Sequence, residues 1–143
     1  MARESRARVS GVGLTITARV RGDGEASILF PDAVTPLALA HAIAELGPSQ
    51  VIIKLGEARC AAVIDGAEYH LDASPSRAVD TVGAGDAFVA GYLAELLAGL
   101  TAQERLATAV SLGAFACLNS GDWEEFPTRH EFGMLGRSEP VQR

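Results

Sequence analysis

The sequence predicts a three-layer α/β domain, in which helices cover both faces of a central sheet. Its 143 residues, 48% of them hydrophobic, are enough for one domain with a sizeable core. Apolar residues alternate with a period of two in some segments and follow helical spacing in others. Turn and capping residues divide these segments into the order strand, helix, strand, hairpin, helix, helix, which is typical of this class. No apolar run approaches the ~18 residues of a membrane helix, so we expect no membrane-spanning segment.

The first predicted elements are two strands near the N-terminus. Apolar residues alternate with glycine, threonine and arginine over 12–20, which indicates a half-buried strand. A polar turn at 21–25 follows it. The short apolar run 27–30 is then the candidate returning strand.

The next predicted elements are a helix and a buried strand. Thr35 is a candidate N-cap, and Pro36 fits the first helical position. The helix is expected to run to about Leu46 and to end at Gly47-Pro48. The apolar run 51–55 follows, as expected for a strand that is buried on both faces.

A hairpin and a helix come next. Predicted strands at 60–64 and 68–71 flank Asp65-Gly66, a dipeptide that strongly favours a two-residue hairpin turn. After a polar loop, the segment 87–97 has helical character and ends at Gly99.

Two capping boxes predict the last helices. Thr101 with Glu104 opens a helix that is expected to reach about Leu118. Thr128 with Glu131 repeats the pattern before a short final helix.

The charge is unevenly distributed. Residues 1–21 carry five arginines and one acid, a net charge of +4. Because the whole chain has a net charge of −6, the remaining residues carry a net charge of −10. The acidic body argues against nonspecific nucleic-acid binding, which depends on neutralising phosphates. The basic end lacks the apolar core of a secretory signal, and we expect it to be frayed. Cys60 and Cys117 are expected to be small buried residues of a cytoplasmic protein.

Two familiar phosphate-binding motifs are excluded. A P-loop requires Gly-Lys-Ser/Thr, but Lys54 is the only lysine and Leu55 follows it. The dinucleotide fingerprint requires a third glycine three residues after the second. Ile16 and Phe88 stand at that position after the two Gly-x-Gly pairs.

What remains is a run of small residues that opens a helix and is followed by an acid. Gly83, Ala84 and Gly85 lack bulk, so a phosphate can approach their backbone N–H groups at the positive end of the helix. Asp86 could accept the proton of an attacking hydroxyl beside that anion. The alternative is a strand-to-helix turn in which Asp86 only complements the helix dipole.

The stretch 80–93, which begins Asp-Thr-Val-Gly-Ala-Gly-Asp-Ala-Phe, resembles the C-terminal signature of the ribokinase-like (PfkB) carbohydrate kinases. The segments 54–57 and 121–128 resemble the family's turn at the nucleotide phosphates and the loop before its last helix. The resemblance covers about 30–136 and is closest in wording to 2-keto-3-deoxygluconate kinases, although fructokinases share much of it.

The resemblance implies a ribokinase-like, Rossmann-like fold of which this chain is the C-terminal nucleotide-binding half. We expect that domain at 26–143, whereas 1–25 match nothing in the family and are expected to be partly disordered or an added strand. The implied reaction is transfer of the ATP γ-phosphoryl group to a hydroxyl of a sugar or sugar acid, with Mg²⁺ and K⁺ as cofactors.

The resemblance also implies roles for individual residues. Asp86 would be the catalytic base, and Gly83, Ala84 and Gly85 would form the anion hole. Lys54 and Gly56 would lie along ATP, although Lys54 is equally explained as a strand-end residue. Asp80 and the Val82 carbonyl would hold a monovalent cation, closed by the loop 119–123. The helix from Val110 to Gly113 would border the adenine.

Members of the family are usually much longer, and the resemblance implies that the rest carries most of the sugar pocket and an Asn-x-x-Glu motif for magnesium. Asn119 is the only asparagine here, so that motif is absent. We therefore expect negligible kinase activity from this chain alone. A second hypothesis is a non-catalytic nucleotide-binding remnant that pairs with a missing N-terminal half or self-associates through an exposed sheet as a homodimer.

Overall fold

The computed structural model describes residues 6–11, 14–22, 28, 30–56, 59–72, 83–117 and 128. Within them it contains five strands and three longer helices. In chain order these are β1 (Arg6–Gly11), β2 (Leu14–Gly22), α1 (Pro36–Ala44), β3 (Gln50–Lys54), β4 (Arg59–Ile64), β5 (Ala67–Asp72), α2 (Ala84–Leu97) and α3 (Ala102–Ala116). None of the helices in these ranges combines the length and apolar character needed to cross a bilayer.

The strands form one sheet in the order β1-β2-β3-β4-β5. The expectation that the basic N-terminal end is frayed is wrong for Arg6–Gly11, because these residues form the edge strand β1, which pairs antiparallel with β2. β2 and β3 are parallel because α1 connects them as a crossover, whereas the other neighbouring pairs are antiparallel. β4 and β5 are joined through Asp65 and Gly66, whose φ angles of 50° and 84° are those of the predicted hairpin turn.

The predicted returning strand at 27–30 is wrong at both of its described residues. Ile28 is helical, and the Phe30 carbonyl accepts from the Ala33 N–H at 3.1 Å in a turn. Both edges of β2 are already paired, one with β1 and the other with β3, so no edge is left for this segment. The domain boundary near residue 25 stays a prediction.

Helices lie on both faces of the sheet, as predicted. On one face, α1 packs on β3 and β4; the buried residues of this layer are Leu39, Ala40, Ile43, Val51, Ile53 and Val63. On the other face, α2 and α3 pack on the alternate positions of the same strands. The buried residues there include Ile52, Cys60, Ala62, Ile64, Phe88, Tyr92, Leu106, Ala109 and Val110. β3 is therefore covered on both sides, which confirms the three-layer α/β class.

The local signals place the starts of α1 and α3 correctly, whereas α2 begins at Ala84, three residues before the predicted segment 87–97. The Thr35 hydroxyl accepts from the Ala38 N–H at 3.1 Å, and Thr101 forms the complete capping box with Glu104. α1 and α3 end two residues before the predicted positions, at Ala44 and Ala116. The final helix predicted after Thr128 lies outside the described residues.

Candidate active site

The start of α2 differs from the starts of the other two helices. α1 and α3 each begin after a threonine whose side chain accepts a hydrogen bond from a first-turn N–H. α2 begins after Gly83, which has φ 81° and ψ −14° and no side chain to accept one. The first N–H groups of a helix have no intrahelical acceptor. Those of Ala84, Gly85 and Asp86 are therefore left for another acceptor, and an anion at this positive end is stabilised.

Asp86 occupies the third position of α2, and its side chain is exposed. The buried neighbours Ala84 and Ala87 fix the first turn against α3, so the backbone that carries Asp86 is held by packing. An exposed carboxylate in the same turn as these N–H groups can accept a proton from a hydroxyl that lies beside a bound anion.

Lys54 reaches this helix start from the end of β3. A methyl group built at Gly85 would lie 2.8 Å from Lys54 Nζ, so the ammonium lies directly against the Gly85 backbone. The same Nζ lies 5.8 Å from the centre of the Phe88 ring, within the range of a cation–π contact. The structure thus brings together Lys54, Gly85 and the first turn of α2, although they are far apart in the sequence.

Positive charge accumulates at this point. The N-terminus of α2 carries the positive end of the helix dipole, which favours negatively charged groups. The Lys54 ammonium at this end is therefore placed unfavourably. Within the part of the chain that the structure describes, the ion pairs involve His41 with Glu68 and His70 with Asp72, and none involves Lys54. A bound anion would offset both the dipole and the ammonium.

The end of α3 lies beside the start of α2. Ala116 and Cys117 pack against Ala84 and Ala87, and the Gly113 carbonyl accepts from the Cys117 Sγ at 3.3 Å. This contact brings Gly113 to the same end of the domain as the predicted anion hole.

Val110 lies one turn earlier in α3, and only 3% of it is exposed because it packs in the core with Phe88. Its contact with an adenine stays a prediction. Gly56 follows β3 in an exposed turn with φ 77°, a conformation that favours glycine, and its place along ATP also stays a prediction.

The predicted cation site lies outside the described residues, since these include neither Asp80, Val82 nor the loop 119–123. Within the ranges that are described, no three His, Cys, Asp or Glu side chains converge in a way that could hold a metal ion.

Sequence reasoning did not single out Phe88 as a contact of Lys54. Its spacing offered a signal, because Phe88 lies one helical turn after Ala84 on the same face of α2.

Sequence reasoning also missed a buried polar cluster further along this helix. There the Tyr92 hydroxyl donates to Gln50 Oε1 at 2.6 Å, and Arg105 donates to the same oxygen at 3.4 Å. Burial raises the pKa of Tyr92 to about 12, although the nearby Arg105 opposes the shift.

Comparison with known proteins shows which sequences this chain is similar to. The chain is 34% identical over 102 residues to the 2-dehydro-3-deoxygluconokinase of Bacillus subtilis, covering 71% of this chain and 32% of that protein. It is 37% identical over 101 residues to a fructokinase of Klebsiella pneumoniae, covering 65% of this chain and 32% of that protein. The chain thus spans about a third of the length of these curated relatives.

The chain is also similar to solved structures of ribokinases. The ribokinase of Thermotoga maritima superimposes with a TM-score of 0.73 at 26% identity, over 82% of this chain and 41% of that one. A putative ribokinase II of E. coli in complex with ATP and Mg²⁺ gives a TM-score of 0.75 at 26% identity, over 85% of this chain and 39% of that one.

The family model for pfkB carbohydrate kinases matches residues 23–129, which is most of the chain and includes the start of α2, Lys54 and the end of α3. The chain therefore belongs to the pfkB family of carbohydrate kinases.

Proposed function

We propose that this chain is the nucleotide-binding part of an ATP-dependent sugar kinase. One observation carries the proposal: the uncapped start of α2 and the Lys54 ammonium direct positive charge to the same point. Phosphate groups of ATP or ADP have the charge and the acceptor oxygens that this point lacks. The ribokinase-like neighbour that was solved with ATP and Mg²⁺ supports this choice of ligand.

In this proposal, the N–H groups at the start of α2, Lys54 and Asp86 have different roles in phosphoryl transfer. The N–H groups of Ala84, Gly85 and Asp86 donate to oxygens of the transferred group, where negative charge builds up. The Lys54 ammonium offsets the charge of the phosphates. The Asp86 carboxylate takes the proton of the sugar hydroxyl as the new oxygen–phosphorus bond forms and the bond to the ADP oxygen breaks. ATP supplies the phosphoryl group, and bound Mg²⁺ would neutralise its oxygens.

The substrate that we propose is 2-keto-3-deoxygluconate or a related sugar acid. The wording of the signature supports it, and so does the likeness to the B. subtilis enzyme. A fructokinase matches over a similar length, so fructose is the competing acceptor.

Nucleotide titration tests the first part of the proposal. Calorimetry with ADP and with ATP, in the presence of Mg²⁺ and K⁺, is expected to give binding between micromolar and low-millimolar strength. Gly83→Asp should abolish it, because the new carboxylate stands where the phosphate would be. Gly99→Asp is the matched control, since Gly99 has a similar φ of 76° at the other end of α2. Absent binding by the unmodified chain, or equal loss in both variants, would contradict the proposal.

The second candidate function is nucleotide binding without turnover, which the lack of an Asn-x-x-Glu motif in this sequence favours, since Asn119 is its only asparagine. An assay for acceptor-dependent ADP release distinguishes the two. We expect no turnover by this chain alone. Release that requires 2-keto-3-deoxygluconate or fructose and disappears in Asp86→Asn would establish an active kinase instead.

A further inference from the structure

We propose that Gly85 must be glycine because the Lys54 ammonium fills the space of its missing side chain, and that Phe88 holds the ammonium there. Gly85 and Phe88 are thus positioning residues for Lys54. The inference rests on the proposed function, because the ammonium is positioned for the nucleotide phosphates.

The backbone of Gly85 does not itself require glycine. Gly83 has a φ of 81°, a left-handed conformation that disfavours any side chain, but Gly85 is not among the residues with positive φ. The restriction at Gly85 is instead one of space. Lys54 Nζ is the described atom that a Cβ would meet, at 2.8 Å, closer than real Cβ contacts come.

Phe88 explains why the ammonium stays at this place. The ring is only 2% exposed and packs in the core against the central strands, so its position is fixed. The ammonium lies 5.8 Å from the ring centre, where the electron-rich face attracts a cation. Since no carboxylate among the described residues pairs with Lys54, the aromatic face is the attractive contact that the structure shows for this charge.

A different explanation of Gly85 makes a different prediction. If glycine is needed only so that a phosphate can approach the backbone, Gly85→Ala should weaken ADP binding whether or not Lys54 is present. If glycine is needed to seat the ammonium, Gly85→Ala should matter only while Lys54 is there. A Cβ at this position displaces the far end of a flexible side chain, so the variant is expected to fold normally.

The first experiment requires no ligand. Lys54 is the only lysine in the chain, so expression with lysine labelled with ¹³C at Cε gives a single methylene signal by NMR. The ring current of Phe88 should displace this signal from its random-coil position. Gly85→Ala and Phe88→Leu are expected to return it toward that position, whereas Phe115→Leu, an aromatic control on α3, should leave it unchanged. A signal that is insensitive to Gly85→Ala would overturn the inference, even if Phe88→Leu fails to fold.

The second experiment is a double-mutant cycle with ADP as the probe. We expect Gly85→Ala to weaken ADP binding about tenfold in the unmodified chain, the loss of one charge-assisted contact, and less than about twofold in a Lys54→Met background. Equal losses in both backgrounds would refute the seating of Lys54 by Gly85. If the unmodified chain does not bind ADP at all, the proposed function fails, and the NMR signal still decides the position of Lys54.

Discussion

Two aromatic residues of α2 each lie beside a cation, and the two pairs differ in what else surrounds them. Lys54 lies 5.8 Å from the Phe88 ring, and Arg105 lies 5.7 Å from the Tyr92 ring. Phe88 and Tyr92 are four residues apart on one helix face, so both pairs lie between the sheet and the helices. Gln50 accepts hydrogen bonds from Tyr92 and Arg105, whereas Lys54 has no carboxylate partner among the described residues.

From this difference we expect similar contacts to serve structure in one place and, as proposed, binding in another. At Tyr92, the hydroxyl and the Gln50 amide close a polar network inside the domain, where unmade hydrogen bonds are costly. At Phe88 there is no hydroxyl, and the Lys54 ammonium lies against the Gly85 backbone at a helix start that has no side-chain cap. We therefore expect changes at the Arg105–Tyr92 pair to alter stability and changes at the Lys54–Phe88 pair to alter ligand affinity.

The largest effect is expected at Gly91, which lies between the two aromatic residues on α2. A Cβ there would lie 2.8 Å from Leu112 Cδ1 and 3.3 Å from the Ala109 backbone. Gly91→Val should force α2 and α3 apart and lower the free energy of unfolding by about 3 kcal/mol. Urea denaturation measures this, with Ala90→Val as the exposed control on the same helix. Equal losses for the two variants would show that the helices do not depend on this close contact.

A smaller loss is expected from Tyr92→Phe, which removes the buried hydrogen bond to Gln50. The free energy of unfolding should fall by about 1–2 kcal/mol, because the Gln50 oxygen keeps only the longer contact with Arg105. Nucleotide affinity should not change. Tyr69→Phe is the control, since no hydrogen bond of its hydroxyl occurs among the described residues. A fall in ADP affinity in Tyr92→Phe would mean that the two pairs are coupled.

Alkaline pH should weaken the core next to the Tyr92 network. Burial raises the pKa of Cys60 from 9.0 to about 12. A raised pKa in the folded state means that stability is complete below pH 9 and is lost as pH rises toward 12. At pH 10 the loss is about 1 kcal/mol for one pH unit above the unfolded pKa.

Denaturation at pH 8 and pH 10, with and without Cys60→Ala, measures this loss. The variant should be less stable at pH 8 but should show a flatter pH dependence. An unchanged slope in Cys60→Ala would assign the alkaline loss to other groups, of which Tyr92 titrates next, toward its raised pKa of about 12.

The smallest change in stability is expected from Lys54→Met. The substitution removes an ammonium from the positive end of a helix, an unfavourable placement of about 0.3–1 kcal/mol, and loses a cation–π contact of similar size. Urea denaturation should therefore give a free energy of unfolding within about 1 kcal/mol of the unmodified chain. A larger loss would mean that Lys54 is primarily a structural residue at the end of its strand.

Much of the fold could be predicted because its signals are local. Thr35 with Pro36, Thr101 with Glu104, and Asp65-Gly66 each act within a few residues, and the structure contains all three features. The returning strand at 27–30 could not be judged in this way. Whether an apolar run becomes a strand depends on a free sheet edge, and β2 has none left.

The candidate site was only partly predictable for the same reason. The small residues at 83–85 and the acid at Asp86 are contiguous, so the helix start could be inferred from the sequence, and its chemistry stays a prediction. The contact of Lys54 with Gly85 joins two distant segments through the sheet, and no local pattern specifies it. Asp80 and Val82 remain predicted cation-binding residues, because they lie outside the described part of the chain.

One measurement tests the contrast between the two cations most directly: calorimetric titration of ADP into the unmodified chain, Lys54→Met and Arg105→Met. Arg105 is a matched control because its guanidinium has the same kind of aromatic contact as the Lys54 ammonium. In addition, the buried Arg105 Nε has no hydrogen-bond partner within the described ranges. We predict that Lys54→Met weakens binding about tenfold or more, the loss of one charge-assisted contact, while Arg105→Met changes it less than about twofold. Equal affinities in all three proteins, or a greater loss in Arg105→Met, would contradict the assignment of Lys54 and the start of α2 as the phosphate site.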